Sequence, residues 1–453
     1  MTNGRPRRRS IFTGLLLILL GVLFLWHNLR GSFVIWQLLE RWWPVLLILW
    51  GLAKLYDHLA ARRTGQTAPR TITSGEVFLV FLVLALAGAI GFGDWYHQHG
   101  GSWPPWAQSY SFSEDVPAKA VPPDARISIR TDRGDITVRP EDAAEVRVVV
   151  KKTVNASDSD PWHHDAEAEA KRRAEQVTVG ISENAGGYEV GTQNQGGDVR
   201  VDLEVHVPKQ ASITARSSHG GVQVAGLAGS VTAAAQRGDL DIRNIGGDVS
   251  AQLERGDAHI IGARGDVKLS GRGGTIEVAD VKGEAVVQGE YYGPIRIAKA
   301  GKGARFLSRR TDLTVSQLSG RIETGSGRLE ISDAPGNLSL VTRKFDIVLD
   351  NVTGRVSIED RDGNVELRFR QPPREDIAIK DETGNIELVL PPQASFEVHA
   401  ESRKGDVDSE FNDAALKKVE EGGSSKLDGQ HGAKGPTISL RTSYGTIRLR
   451  KSE

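Results

Sequence analysis

The chain has 453 residues, a formal net charge of −1 and no cysteine. The missing thiols remove disulfides, thiolate metal sites and cysteine nucleophiles together. The near-zero charge argues against a general nucleic-acid binder. Tryptophan is lopsided, with eight of nine before residue 107, so the N-terminal part differs in kind from the rest.

Residues 1–10 carry Arg5, Arg7, Arg8 and Arg9, and Ile11 to Leu29 then has no charged side chain. At ~1.5 Å per residue this run spans about 28 Å, close to a bilayer core. A signal peptide is the alternative, but no small-residue cleavage site follows and further apolar segments do. Trp36, Trp42 and Trp43 suit an interface. Pro44 to Tyr56 is a second, shorter run, with Lys54 placed to snorkel. Val77 to Phe92 is a third, preceded by Thr73 and Glu76 at capping-box spacing. Three spans keep Arg5, Arg7, Arg8, Arg9, Lys54, Arg62, Arg63 and Arg70 inside and leave Arg30 and Arg41 in the outer loop. Two spans would put the loop that carries Lys54, Arg62, Arg63 and Arg70 outside. The positive-inside rule favours three, with the N-terminus in and the remainder out. The expected anchor is residues 1–93, with helices at about 11–29, 43–57 and 76–93.

Residues 94–122, with Gly100, Gly101, Pro104, Pro105, Pro117 and Pro122, read as a linker. A β region over 123–453 opens at Ile127–Val138, with a strand at Val146–Val150. A helix over about 160–175 has Pro161 at its first position. Strands over Val177–Val207 follow. Gly220, Gly229, Gly238, Gly247, Gly256, Gly265, Gly274 and Gly283 then fall nine residues apart. The beat slips at Gly293 and returns at Gly327, Gly336, Gly354 and Gly363, with Phe345 where one glycine is due. After each glycine come apolar residues in alternation, such as Val222 and Val224, Val231 and Ala233, Leu240 and Ile242. Each unit is a short strand and a turn. Two kinds of unit alternate. One includes Ile242-Arg-Asn-Ile-Gly-Gly247 and recurs at Ile297, Val315, Ile331 and Leu349. The other includes the Gly-Asp turns before Leu240 and Ala258.

A period of about 18 residues predicts a right-handed parallel β-solenoid with two strands per coil. One coil cannot bury its own apolar stripe, so coils must stack. At ~4.8 Å per coil, about ten make a rod of roughly 50 Å. Glycine is expected at a positive-φ corner, with the following Asp bonding backbone there. Residues 411–435 read as a flexible insertion, and Pro436–Arg450 as the pair of strands that closes the rod.

On these Gly-Asp-Ile/Val turns, the helix after the first strands and Arg441-Thr-Ser-Tyr-Gly-Thr-Ile447, about residues 110–453 resemble the bacterial "putative adhesin" β-solenoid family. On Gly14-Leu-Leu-Leu-Ile-Leu-Leu-Gly-Val-Leu-Phe-Leu25 and Trp43-Pro-Val-Leu-Leu-Ile-Leu-Trp-Gly51, the N-terminal part resembles the LiaF-like transmembrane region of envelope-stress proteins. These resemblances imply adhesion or binding and a membrane location. Neither supplies catalytic residues.

Four Arg-Gly-Asp tripeptides begin at Arg133, Arg237, Arg255 and Arg264. Lys404-Gly-Asp406 and Gly246-Gly-Asp248 show the same turn without arginine, so turn grammar explains the motif better than cell adhesion. Calcium β-rolls need Gly-Gly-x-Gly-x-Asp; here Ser230, Thr275 and Pro294 stand in several turns. Polysaccharide-cleaving chemistry needs converging carboxylates, or a base with an arginine, in a groove, and no turn is richer than its neighbours. His97, His99, His163 and His164 lack a third ligand at recognisable spacing. The remaining candidate is a corner of the rod. Arg237, Arg255, Arg272, Tyr291, Tyr292, Arg309, Arg310, Arg343, Lys344 and Arg361 precede alternate beats, and stacking would align them into a basic stripe. The competing reading is a solvated corner neutralised by Asp239, Asp257 and Glu254.

The expectation is a non-enzymatic, multi-pass protein of the bacterial cytoplasmic membrane that displays an extracytoplasmic solenoid. No catalytic residue, cofactor or metal is assigned. Its expected partners are the lipid bilayer and an anionic envelope polymer or a membrane sensor protein, and not nucleic acid; oligomeric state stays open. The alternatives are a regulatory subunit that acts through its membrane helices and a polysaccharide-active β-helix enzyme.

Overall fold

Strict alternation of apolar residues makes each short strand amphipathic, and one apolar face can be buried only against another. In the structure, a computed structural model, residues 108–156, 166–325 and 327–452 are described. They build two long, mostly parallel sheets consistent with a β-solenoid. The expected membrane helices and the four histidines at 97, 99, 163 and 164 lie outside the described residues.

In the first sheet, Leu240–Ile245, Ala258–Ala263 and Ile276–Val281 lie side by side, with Leu240 opposite Ala258 and Ala258 opposite Ile276. The second sheet repeats this offset: Val231 faces Val249, which faces Val267. Each step is one coil of 18 residues, as the beat requires. Val222, Val231, Leu240, Val249, Ile260, Leu269 and Val278 all point inward into one core and are at most 2% exposed.

The stack is not uniform. Ile276 pairs with Ile295, a step of 19, because Tyr291-Tyr292 adds a residue to the corner. The chain then doubles back. Asp312–Val315 pairs antiparallel with Ala304–Leu307 on one side and with Leu338–Val341 on the other. Leu318–Gly325 likewise lies antiparallel between Ile295–Ala300 and Arg328–Ala334. A tight turn at Ser308–Thr311 reverses the direction once, and the antiparallel pairing of Gly325 with Arg328 marks the second reversal, so one coil runs against its neighbours. In the first turn, Ser308 Oγ accepts from the Arg310 and Thr311 amides at 3.2 and 3.1 Å. Val315, expected with Ile297 and Ile331, therefore sits on the opposite sheet. The parallel run resumes at Arg328, which pairs with Asp346.

Both ends depart from the expected boundaries. Gln108–Ala120 is a strand, paired antiparallel with Glu145–Ala156, so the β region starts inside the expected linker. Its register shifts between Val116 and Lys119, where Pro117 cannot donate to the ladder. The helix α1, Ala166–Gln176, lies against these two strands and buries Ala170 and Ala174.

At the other end, Thr437–Tyr444 does not close the stack. It lies between Ile377–Thr383 and Phe396–Lys404, parallel to both. Residues 411–435, expected to be flexible, contain a hairpin of Lys417–Glu421 and Ser424–His431 that pairs with Phe396–Lys404. Phe396, Phe411 and His431 pack ring against ring beneath it, with centroids 4.7–5.3 Å apart. Helix and hairpin thus occupy the two open ends of the core, as a stacked-coil protein needs.

Candidate functional site: a basic edge and its cleft

The Gly-Asp turn builds the edge where the second sheet passes into the first. Gly238 has φ of 150°, and a Cβ there would lie 2.2 Å from the Gly220 carbonyl oxygen of the coil beneath. No side chain fits between coils so close. The glycines of the opposite edge differ from the expectation. Gly229 has no positive φ and is excluded from larger residues by contact alone, 2.2 Å from the Ala211 oxygen.

The aspartate that follows bonds the next coil rather than its own turn. Asp239 Oδ1 accepts from the Asp257 amide at 2.8 Å, and Asp257 Oδ1 from the Thr275 amide at 2.6 Å. Asp135 and Asp266 do the same with Gly221 and Glu284, at 2.7 and 2.9 Å. Every Arg-Gly-Asp aspartate is therefore an inter-coil bridge. This accounts for the motif without any adhesion role.

The arginines preceding these turns stack along the edge as the spacing predicts. Arg133, His219 and Arg237 are side by side in register, and Arg237 Nη1 lies 2.9 Å from His219 Nε2. Arg255 and Arg272 follow one coil at a time and are exposed. Tyr291 is half-buried and donates to the Gln288 carbonyl at 3.2 Å; burial raises its pKa. Tyr292 projects into solvent, 89% exposed. The reversed coil keeps Arg309 and Arg310 on this edge, because their turn faces the same way. The Arg309 amide donates to Glu290 Oε1 at 2.8 Å, and Thr311 Oγ1 lies 3.1 Å from Thr342 Oγ1.

The structure brings four of the ten predicted residues together. Arg310, Arg343, Lys344 and Arg361 line an open cleft of about 560 Å³ with Asp362, Glu382 and Thr383. Arg361 pairs with Glu382 at 3.1 Å. Among the described residues no ion pair holds Arg237, Arg255, Arg272, Arg309, Arg310, Arg343 or Lys344. Asp239 and Asp257, expected as neutralisers, bond backbone instead. Sequence reasoning missed Asp362, Glu382 and Thr383, which enter the cleft from the next turns. It also missed Lys404, whose Nζ lies 5.1 Å from the Tyr444 ring centroid farther along this edge.

Behind the cleft lie two carboxylates that sequence reasoning also missed. Asp360 and Asp381 are 7% and 3% exposed; Asp360 directly follows Val356–Glu359 and Asp381 lies in the adjoining strand Ile377–Thr383, with the Asp360 amide donating to the Lys380 carbonyl at 2.9 Å. Both oxygens of Asp360 and Oδ2 of Asp381 are buried without a hydrogen-bond partner. Burial pushes Asp381 up to about 6, reinforced by the charge of Asp360. Burial likewise raises Asp360, opposed by the nearby amides of Arg361 and Asp362 and reinforced by Asp362 and Asp346. The signal was present. In Val356-Ser-Ile-Glu-Asp360 and Ile377-Ala-Ile-Lys-Asp381, alternation puts each aspartate on the inward face. Among the described residues no group of three or more His, Asp or Glu could hold a metal ion.

Residues 125–450 match the Toastrack DUF4097 family, and the chain belongs to it. Residues 12–104 match the LiaF transmembrane domain, so the protein is membrane-associated through its N-terminal part. A structure described as a putative cell adhesion protein from Clostridium sporogenes is similar at 9% identity and a TM-score of 0.17, over 76% of this chain and 100% of that one. One described as a putative adhesin from Bacteroides fragilis is similar at 11% identity and a TM-score of 0.19, over 76% and 97%. Scores this low leave the fold to the pairing register and the family match. No curated protein matches the chain.

Proposed function

We propose that this is a non-enzymatic cell-envelope protein whose β-solenoid, held outside the cytoplasmic membrane by three spans, binds an anionic envelope polymer along its basic edge. Right-handed winding belongs to this reading, as the rule for crossovers between parallel strands. The observation that carries it is the column of exposed cations, without ion-pair partners among the described residues except for Arg361, which widens into the cleft at Arg310, Arg343, Lys344 and Arg361. Such a row concentrates polyanions, and salt weakens it. The buried pair Asp360 and Asp381 stands outside the cleft lining. A catalytic acid or base must reach its substrate, so this placement supports binding over polysaccharide cleavage.

The test is co-sedimentation of the full chain, in nanodiscs of zwitterionic lipid, with isolated envelope material at low and raised salt. Binding that falls with salt, and is lost in the combined Arg237→Glu, Arg255→Glu, Arg310→Glu and Lys344→Glu variant, is expected. No binding at any salt would overturn the reading. The LiaF transmembrane match supports a second one: a regulatory subunit whose helices contact a membrane sensor while the solenoid reports on the envelope. A sensor interaction that survives removal of the edge charges but needs the membrane segment would favour it.

A further inference from the structure

The cleft and the buried carboxylates belong to the same turns. Asp360 immediately precedes Arg361 and Asp362, and Asp381 precedes Glu382 and Thr383, all of them lining residues. The charged groups around the pair can be named strand by strand. The preceding coil of the second sheet contributes Thr342, Arg343 and Lys344, and the reversed coil contributes Thr311 and Arg310. The pair's own turns contribute Arg361, Asp362 and Glu382. On the far side stands the neutral Thr442, opposite Asp381 in register. The strands of the first sheet that leave this edge begin at Asp346, at Val365 after Asn364 and at Ile386 after Asn385, so Asp346 is the charge they bring. Among the described residues no cation is bonded to either buried carboxylate.

Two buried carboxylates on neighbouring strands cannot both hold a charge cheaply, because each desolvates and repels the other. Three of their four oxygens have no hydrogen-bond partner, and only Asp381 Oδ1 accepts one, from the Thr383 amide at 3.3 Å. The pair is therefore a place for one proton. A polyanion settling among Arg310, Arg343, Lys344 and Arg361 adds negative charge on the other side of the wall and favours the protonated pair still more. We infer that the cleft takes up its anionic ligand together with a proton, which the Asp360–Asp381 pair holds, so that the basic edge binds more tightly in acid. This rests on the polyanion reading given above. The proton comes from solvent and forms one O–H bond on a carboxylate oxygen; no other bond changes. Linkage makes the effect reciprocal: whatever tightens the anion when the pair is protonated also raises the pair's affinity for its proton.

Asp381, titrating at about 6, places the transition between neutral and mildly acidic conditions. His219 lies against Arg237 at the other end of the edge, and histidine is the side chain that commonly switches charge in this range, so pH dependence alone would not identify the pair. The experiment uses the full chain in zwitterionic nanodiscs with long-chain inorganic polyphosphate as probe. The probe is titrated at about pH 5 and pH 7.5, against the wild type and the Asp360→Asn, Asp381→Asn double variant. The expected result is a rise in wild-type affinity of roughly fivefold at the lower pH, the order for one screened charge. The variant, neutral at both pH values, should bind at least as tightly as the wild type does at low pH, and equally at both pH values. Infrared difference spectra of the wild type without probe should show a protonated-carboxyl band that titrates near 6 and vanishes in the variant.

A variant that keeps the wild-type pH dependence would assign it to groups outside the pair and overturn the inference. Wild-type binding that is equal at both pH values would also overturn it, while leaving the polymer reading intact. A missing carboxyl band would overturn it whatever the binding shows. Absence of binding at both pH values would overturn both readings, and the band would then tell whether the shared proton exists on its own.

Discussion

The outer face of the first sheet and the edge beside it are both rich in arginine, yet they treat charge in opposite ways. On the face, cations find partners on their own strand or the next coil. Arg243 meets Asp241 at 2.6 Å, Arg328 meets Glu330 at 2.6 Å, and Arg296 meets Glu323 at 3.1 Å. Lys299 meets Asp280 at 3.1 Å and Arg450 meets Glu387 at 3.4 Å. Residues two apart on a strand share a face, so such pairs are built into the alternation. At the edge the same arginines stand at a turn, where the neighbouring aspartate is engaged with backbone amides. Composition cannot separate the two regions. The position of each charge relative to the pleat does.

Removing the edge should have the largest effect. The four-fold charge reversal at Arg237, Arg255, Arg310 and Lys344 is expected to weaken polyanion binding at low salt at least a hundredfold in co-sedimentation. The matching reversal of Arg243, Arg328, Arg450 and Lys299 on the face should change it less than threefold. Equal losses from the two sets would erase the distinction drawn here.

Next in size is Asp381→Asn. The folded pKa of Asp381 lies above its unfolded value, so the folded state binds the proton more tightly. Stability from this group is therefore greatest below the unfolded value, falls as pH rises, and is lost above about 6. Holding the charge costs on the order of 2–3 kcal/mol at neutral pH. The asparagine keeps the acceptor for the Thr383 amide and removes that cost. Thermal melts of the full chain should show a raised midpoint at pH 7.5 and no gain near pH 4.

A smaller loss is expected from Asp257→Ala. It removes the acceptor of the Thr275 amide and should destabilise the coil stack by about 1–2 kcal/mol. Binding by the exposed arginines should persist. The smallest effect belongs to Arg243→Ala on the face, where an exposed pair contributes within about 0.5 kcal/mol. A melt shifted by more than the Asp257 variant would mean that the face pairs act as a connected network.

Much of this architecture could be read in advance, because a nine-residue beat constrains backbone directly. The inward residues from Val222 to Val287 and the stacking of the edge arginines follow from glycine spacing and period-two alternation alone. What escaped reading has identifiable physical causes. The reversed coil keeps the alternation, so Leu313 and Val315 look like any other strand; only Thr324-Gly-Ser-Gly327 marks a turn of direction. The hairpin at 417–431 is polar on its outer side, and polarity was read as flexibility although Leu427 and Phe411 are buried beneath it. Asp360 and Asp381 fall on the inward face by alternation, but a reading directed at the exposed cations of the corner passes over them. The cleft combines turns from coils whose order only the reversal explains.

The placement of Thr437–Tyr444 inside the stack bears on how the chain acquires its shape during synthesis. Coils from Val222 onward can dock one after another as they emerge, each on a neighbour already in place. That orderly growth stops at Leu390. Phe396–Lys404 and its hairpin are made next, but their seat is separated from Ile377–Thr383 by a strand that does not yet exist. Until residues 437–451 arrive and slide into the gap, two rows of unsatisfied backbone amides and carbonyls face each other. Such edges invite mispairing with other chains. The last coils must close together, like a keystone set after its flanking stones, and this step is where a slowed or interrupted synthesis would do most harm.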